Sequence, residues 1–299
     1  MAEKDWLAER FEEQRPHLRA VAYRMLGSLA EAEDAVQDSW LRASRSDAAG
    51  VGNVRGWLTT IVARVALNML RARRAHGEEP LDGRLPDPVI SIEGSSQPEE
   101  EALLADSVGL ALLVVLDTLE PAERLTFVLH DVFKLPFDEI APMVERTPAA
   151  ARQLASRARR RVKGASLAAP DTDQRRQREV VNAFFAATRA GDFDRLLAVL
   201  DPAVVLRADF GRRRGAVPSI VRGTDAVVEL AMTGARLPDA ELIPVLINGA
   251  AGVVVTLGGR PFSLMAFIVR GGRIVEIDAI ADPKRVARLA AAVLKELRP

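Results

Sequence analysis

The chain has 299 residues, 48% hydrophobic and 27% charged, with 41 basic and 41 acidic side chains. That is close to two domains at ~150 residues each, with enough apolar sequence for ordinary cores, so a wholly disordered chain is excluded. Cysteine is absent and the three histidines, His17, His76 and His130, are scattered. This excludes disulfides and thiolate metal sites, and no metal or other cofactor is expected. The N-terminus is charged, and the longest apolar run, GLALLVVLDTL, is broken by Asp117 well short of the ~18 residues of a span. A cytoplasmic protein with no membrane segment is expected.

The zero net charge hides a strong sorting of charge along the chain. Val54 to Gly77 holds five arginines and no acid, Glu78 to Asp106 holds nine acids against Arg84, and Ala149 to Lys163 holds six cations and no acid. Two basic segments around an acidic one suggest two contacts with a polyanion, although two solvated helix faces would show the same pattern.

In Pro16 to Gly27, Leu18, Val21, Ala22, Met25 and Leu26 recur as one helical stripe, which Gly27 ends. Ser28 and Glu31 form a capping box for a second helix running to about Arg42, with Ala32, Ala35, Val36 and Ser39 inward and Asp34, Gln37 and Asp38 outward. After the loop SDAAGVGN, Asn53 caps a third helix that buries Trp57, Leu58, Ile61, Val62, Val65 and Met69, with Arg64 and Arg71 on the opposite side. Residues 76–98 carry four prolines and several glycines and serines, so they read as a tether at a domain boundary.

Helices are expected again over Glu99 to Leu119, Pro121 to Phe133 and Phe137 to Val144. Thr147-Pro148 then starts a helix through Lys163. Inward Ile140, Ala141, Val144, Ala151, Leu154 and Ala158 give helix-turn-helix spacing and leave Arg152, Gln153, Ser156 and Arg157 outward. Past a polar segment the pattern changes. Helices over Glu179 to Arg189, Phe193 to Leu200 and Thr224 to Thr233 accompany the runs VVLRADF, ELIPVLING, GVVVTLG, FSLMAFIV and RIVEIDAI. The last two runs join at a Gly271-Gly272 hairpin, and Pro283 to Leu297 closes the chain as a helix. This is an α+β domain with a mostly antiparallel sheet.

AYRMLGSLAEAEDAVQDSWLRA with VRGWLTTIVARVALNMLRARRA resembles region 2 of the extracytoplasmic-function (ECF) sigma factors, the dissociable promoter-recognition subunits of bacterial RNA polymerase. LDTLEPAERLTFVLHDVFKLPFDEIAPMVERTPAAARQLASRARRRVK resembles region 4 of the same family, and the order and spacing of the two match as well. The resemblance covers residues 10–164, and the tail from about Gln174 resembles a SnoaL-like domain of the NTF2 superfamily. The implied layout is multi-domain: an all-α region 2 bundle (1–75), an acidic Pro-rich linker (76–100), an all-α region 4 helix-turn-helix (101–166) and an α+β NTF2-like cone (174–299). The group's linker motif WLPEP is present as Arg84-Leu85-Pro86-Asp87-Pro88, without the tryptophan. Its tail motifs DGGGK and NPDKL are present as Asp209-Phe210-Gly211-Arg212-Arg213 and Asp282-Pro283-Lys284-Arg285-Val286.

The resemblance implies roles for these residues. Asp34, Gln37 and Asp38 would dock on the coiled coil of the polymerase β′ subunit, with further contact to the β subunit. Asn53, Arg64 and Arg71 would meet the minus-10 element, the loop before Asn53 holding opened bases and the arginines following phosphates. Trp57, which shares a stripe with Ile61 and Val65, reads as core. Arg152, Gln153, Ser156, Arg157 and Arg160 would meet the minus-35 element of promoter DNA, Arg157 at a base edge and Arg159 to Lys163 at phosphates. Leu85, Pro86, Asp87 and Pro88 would form a regulatory contact with Asp209, Gly211, Arg212, Arg213, Asp282 and Pro283 of the tail. Arg207 and Asp209 alternate onto one strand face and Leu206 and Ala208 onto the other. If the former face lines the cone, Asp209 is placed to act as a base or to hold an unknown small ligand or the linker, and Asp278 joins it only in a suitable register. A SnoaL-type enzyme tethered to DNA-binding helices, and a ligand-sensing regulator that works without polymerase, remain the alternatives to a non-enzymatic sigma factor.

Overall fold

The computed structural model describes residues 2–46, 50–76, 85–93, 110–164, 171–211, 220–234 and 239–296. The chain divides into two compact units, one from Met1–Leu81, Pro98–Leu104 and Leu112–Leu167, the other from Asp82–Gln97, Ala105–Ala111 and Ala168–Pro299. Among the described residues no helix is long and apolar enough to cross a membrane.

The first unit begins with α1 (Ala2–Leu26), longer than the stripe from Pro16 suggests. Leu7 and Phe11 extend the buried face ahead of Pro16, and Phe11 meets the Trp40 ring at 5.1 Å, so packing carries the helix through the residue that cannot donate a hydrogen bond. Gly27, at φ 71°, ends it. In α2 (Leu29–Ala43) the Ser28 hydroxyl accepts from the Glu31 amide, while the Glu31 carboxylate pairs with Arg73. Asn53 caps α3 (Val54–Ala75) through a 2.9 Å bond from the Gly56 amide to its Oδ1. Because α3 packs on both α1 and α2, its buried face turns toward the small residues Thr59, Ala63 and Ala66. Trp57, Ile61 and Met69 are therefore half-buried at its border instead of in the core.

The helix-turn-helix follows, from α4 (Leu110–Asp117) and α5 (Pro121–Phe127), through a π-turn at Val128–Val132, to α6 (Phe137–Ile140). Residues 99–109 of the expected preceding helix lie outside the described residues. A 3-10 turn at Ala141–Met143 replaces the last expected turn of α6, since Pro142 has no N–H to continue it. Thr147 Oγ1 then accepts from the Ala150 amide to start α7 (Pro148–Gly164). Ala151, Ala155 and Ala158 form the fully buried stripe of α7, and Leu154 is only half-buried.

In the second unit the first strand, β1 (Ile90–Ser91), comes from the segment expected to be a tether. It is followed by α8 (Gln174–Ala190), α9 (Phe193–Val199), β2 (Leu200–Asp209), β3 (Ile220–Arg222) and α10 (Thr224–Gly234). Then come β4 (Ala240–Ile247), β5 (Ala250–Leu257), β6 (Arg260–Arg270), β7 (Arg273–Ile280) and α11 (Pro283–Glu296). The sheet runs β1-β4-β5-β6-β7-β2-β3, and β2 lies parallel to β7 in an otherwise antiparallel array. Six successive residues of β5, Ala251 to Thr256, are buried, as expected where both faces are covered. On one face Val181 and Phe184 of α8 share a core with Val253 and Phe267, which α9 and α10 extend over Leu206 and Ala208 of β2, and on the other α11 packs against β6.

Candidate nucleic-acid interface and linker clamp

The buried alanine stripe of α7 leaves Arg152, Gln153, Ser156, Arg157 and Arg160 exposed on one face, as the spacing predicts. The acids that balance this face come from within the same unit. Glu123 of α5, almost fully buried, lies 3.1 Å from Arg157 Nε and 2.8 Å from Arg161 Nη1, and Asp131 holds Arg159 at 2.6 Å. Arg152 stands over the Phe137 ring, 5.5 Å from its centroid, and His130 stacks on that ring at 3.9 Å. Two of the cations expected to follow phosphates, Arg159 and Arg161, are therefore ion-paired within their own module.

Arg64 and Arg71 are exposed on α3, and Asn53 is exposed at its start. With Asn68, the two arginines line one side of a shallow cleft of about 220 Å³, opposite Pro142, Met143 and Glu145. Arg71 comes within 3.9 Å of Glu145. The α3 helix and the helix-turn-helix are joined more firmly behind this cleft. Arg74 donates to the Leu119 carbonyl at 3.0 Å and pairs with Glu120, and the buried Arg124 guanidinium bridges Asp117 (2.9 Å) and the Arg24 carbonyl (3.3 Å). His17 sits between Thr59 and Arg55, 3.1 Å from each, with its ring edge-on to Phe133. Burial, reinforced by the charges of Arg55 and Arg24, pushes its imidazole down to about 4. On α2, Asp34 and Gln37 are exposed and Asp38 is half-exposed, 2.9 Å from Arg42. The apolar Leu41, exposed on the turn after Gln37 and Asp38, extends the same face.

The segment Leu85–Val89 is buried throughout, which corrects its reading as a free tether. Its backbone is zipped to the sheet, Val89 N–H donating to Asn248 Oδ1 (2.7 Å) and Asn248 N–H to the Val89 carbonyl (2.8 Å), ahead of the β1–β4 pairing. Arg285 of α11 clamps it. The guanidinium donates to Asp87 Oδ1 through Nε (3.0 Å) and Nη2 (2.6 Å), to the Leu85 carbonyl (2.7 Å), and to Asp209. Arg288 adds a 2.6 Å bond to the other Asp87 oxygen, and Asp209 also accepts from the Leu85 amide at 3.0 Å. Two buried carboxylates thus face two guanidinium groups, the arrangement that makes burial of charge tolerable. Farther on, Arg178 holds Glu93 at 2.7 Å and donates to the carbonyls of Gly252 and Val245.

The tail motifs build the floor of this clamp. Gly211 donates to Asp209 Oδ1 at 2.9 Å with φ at 66°, and a Cβ there would lie 2.9 Å from Asp282 Cγ. Asp282 Oδ1 caps α11 through the Arg285 amide at 2.9 Å, and Pro283 is the first residue of that helix. Arg212 and Arg213 lie outside the described residues. Leu206 and Ala208 join the apolar core to which α8 contributes, whereas Asp209 is bonded by Arg285, Leu85 and Gly211 and is not left free to act as a base. Asp278 pairs in register with Arg207 on the face away from α8, 2.9 Å from its Nε, and burial raises its carboxyl against the pull of that arginine.

The sequence matches the family profile for sigma-70 region 2 over residues 10–76 and that for sigma-70 region 4 over residues 109–162. It is 37% identical over 289 residues to the ECF RNA polymerase sigma factor SigJ of Mycobacterium tuberculosis, covering 92% of this chain and 91% of the relative. The chain belongs to the ECF sigma factors. The probable ECF sigma factor SigI of the same organism is 32% identical, with 97% and 98% of the two chains covered. The crystal structure of M. tuberculosis SigJ superposes with a TM-score of 0.73 at 34% identity, over 93% of this chain and 97% of that one. The likeness therefore extends through the C-terminal α+β domain.

In this sigma factor the sequence reading missed Arg285 and Arg288 as the residues that grip the linker, and Arg178 and Asn248 as its further anchors. Arg285 had a signal, since it stands at the lysine position of NPDKL while Asp87 stands at the glutamate position of WLPEP. A shorter acid meets a longer cation there. Glu123 carried none, being one acid among several in a helical run.

Proposed function

We propose that the chain binds the RNA polymerase core, directs promoter-specific initiation, and is modulated by its own C-terminal domain through the linker. The observation that carries the modulating role is the buried Asp87–Arg285–Asp209 clamp, which makes part of the interregion linker a component of the C-terminal fold. In this reading Asp34, Gln37 and Asp38, with Leu41, dock on the basic coiled coil of the β′ subunit, and the α7 face reads the minus-35 duplex while phosphates are held by basic side chains. Asn53, Arg64 and Arg71 meet the minus-10 element, which requires the cleft between α3 and the helix-turn-helix to open. Asp209 is engaged by Arg285, Leu85 and Gly211, which favours a structural over a catalytic use.

Co-purification with core polymerase followed by run-off transcription tests the proposal, comparing wild type with Asp87→Ala and Arg285→Ala at equal core occupancy. Core binding with promoter-dependent transcripts is expected from wild type, with altered promoter activity in both variants. Absence of core binding would remove the initiation role, and three superimposable activity curves would remove the modulating one.

A further inference from the structure

We propose that Glu123 is a positioning residue for promoter reading, holding Arg157 of α7 in place and offsetting the charge of Arg161. An acid directly beneath a surface that meets a polyanion repels phosphate, and its own burial is unfavourable unless it is paired. Glu123 is paired twice. With a side chain only 5% exposed, it meets Arg157 Nε with one carboxylate oxygen (3.1 Å) and Arg161 Nη1 with the other (2.8 Å). The arginines are four residues apart, one helical turn, so a single carboxylate spans them. Ion-paired at Nε, Arg157 keeps both Nη groups for a base edge or phosphate, and the pair biases the placement of a side chain that is otherwise half exposed. Arg161, paired through Nη1, has its charge offset and adds less sequence-independent attraction.

The inference rests on the reading of α7 as the minus-35 reader. Its logic is that Glu123 gives up total attraction for DNA in return for discrimination between sequences. A neutral side chain at 123 would release both arginines to whatever phosphate is nearest.

The test uses holoenzyme assembled from the full chain and core polymerase, with promoter duplexes carrying an intact or a substituted minus-35 element. The readouts are the ratio of the two dissociation constants and the dependence of each on salt. Glu123→Gln is expected to lower the ratio about fivefold or more, with affinity for the substituted duplex equal or higher and the log–log salt slope steeper by about 1. Arg161→Ala, which leaves Arg157 gripped, should keep the ratio within about twofold of wild type. Lys163→Ala should weaken both duplexes evenly. Because the ratio compares two DNAs on one protein sample, partial unfolding of a variant cancels from it, whereas a merely structural glutamate would move Tm and leave the ratio alone. An unchanged ratio in Glu123→Gln, with a lowered one in Arg157→Ala, overturns the positioning role. An unchanged ratio in Arg157→Ala overturns the base-reading assignment beneath it.

Discussion

Replacing Asp87 with alanine should release the linker from the C-terminal domain while leaving that domain folded. The Asp87 side chain is 6% exposed and accepts charge-assisted bonds from both Arg285 and Arg288. Removing one partner of a buried ion pair costs ~3–5 kcal/mol. The lower figure applies here, because Arg285 keeps Asp209 and the Leu85 carbonyl, and Arg288 is 48% exposed and regains water. A loss of about 3 kcal/mol corresponds to a docking equilibrium weakened roughly 150-fold. Amide hydrogen exchange reads this directly, since the Val89 and Asn248 amides bond across the docked segment and the sheet end. Their protection should fall by about two orders of magnitude, while Val254, in the middle of β5, exchanges as in wild type. Arg285→Met should be worse than Asp87→Ala, as it leaves Asp209 buried without its cation. If Val89 stays as protected in Asp87→Ala as in wild type, the clamp does not hold the linker and the reasoning fails.

Gln37→Ala combined with Asp38→Ala should weaken core binding about tenfold with an unchanged circular-dichroism spectrum, since neither side chain is buried; equal capture of core polymerase would remove the docking assignment. Gly211→Ala should loosen the clamp from below, because the new Cβ meets Asp282 at a left-handed φ, and its Val89 exchange should resemble that of Asp87→Ala. His17 takes its proton at about 4 in the folded chain against 6.5 for an ordinary imidazole, so the unfolded chain binds the proton first as pH falls. Stability is therefore full above pH 6.5 and declines between 6.5 and 4, by up to about 3 kcal/mol from this group. Denaturant titrations of wild type and His17→Gln at pH 7, 5 and 4 should diverge by that amount, and parallel curves would exclude His17 as the cause.

The elements whose burial follows one period were legible from the sequence. The stripe of α2, the exposed face of α7 and the β6–β7 hairpin, with Gly271 and Gly272 both at positive φ, stand where the pattern puts them. Where two helices compete for one face the pattern blurs, and α3 leaves Trp57 and Ile61 half-buried at the border while small residues meet α1 and α2. The linker was the larger difference. Proline, glycine and acidic residues describe a chain that cannot form its own helix, and composition says nothing about a strand completed by a sheet more than 150 residues away. Pro86 and Pro88 need no partner for a missing N–H, and Asp87 is buried only because Arg285 is there to meet it. The clamp was legible as motifs and illegible as geometry, since its decisive cation gains meaning only once α11 is placed.

The linker strand also means that the C-terminal domain has no single cut point. Shortening the gene after Gly164 would delete α8 to α11 and β2 to β7 yet retain Leu85–Ser91, stripped of every surface on which its leucine, prolines, valine and isoleucine are packed. Such a product would carry a sticky, sheetless strand through the middle of a sigma factor. Its behaviour in transcription would mix the absence of a domain with the presence of an orphan. Any dissection of this protein has to be discontinuous, because residues 82–97 belong with residues 168–299: they leave together, or they are first made indifferent to each other by a change at Asp87.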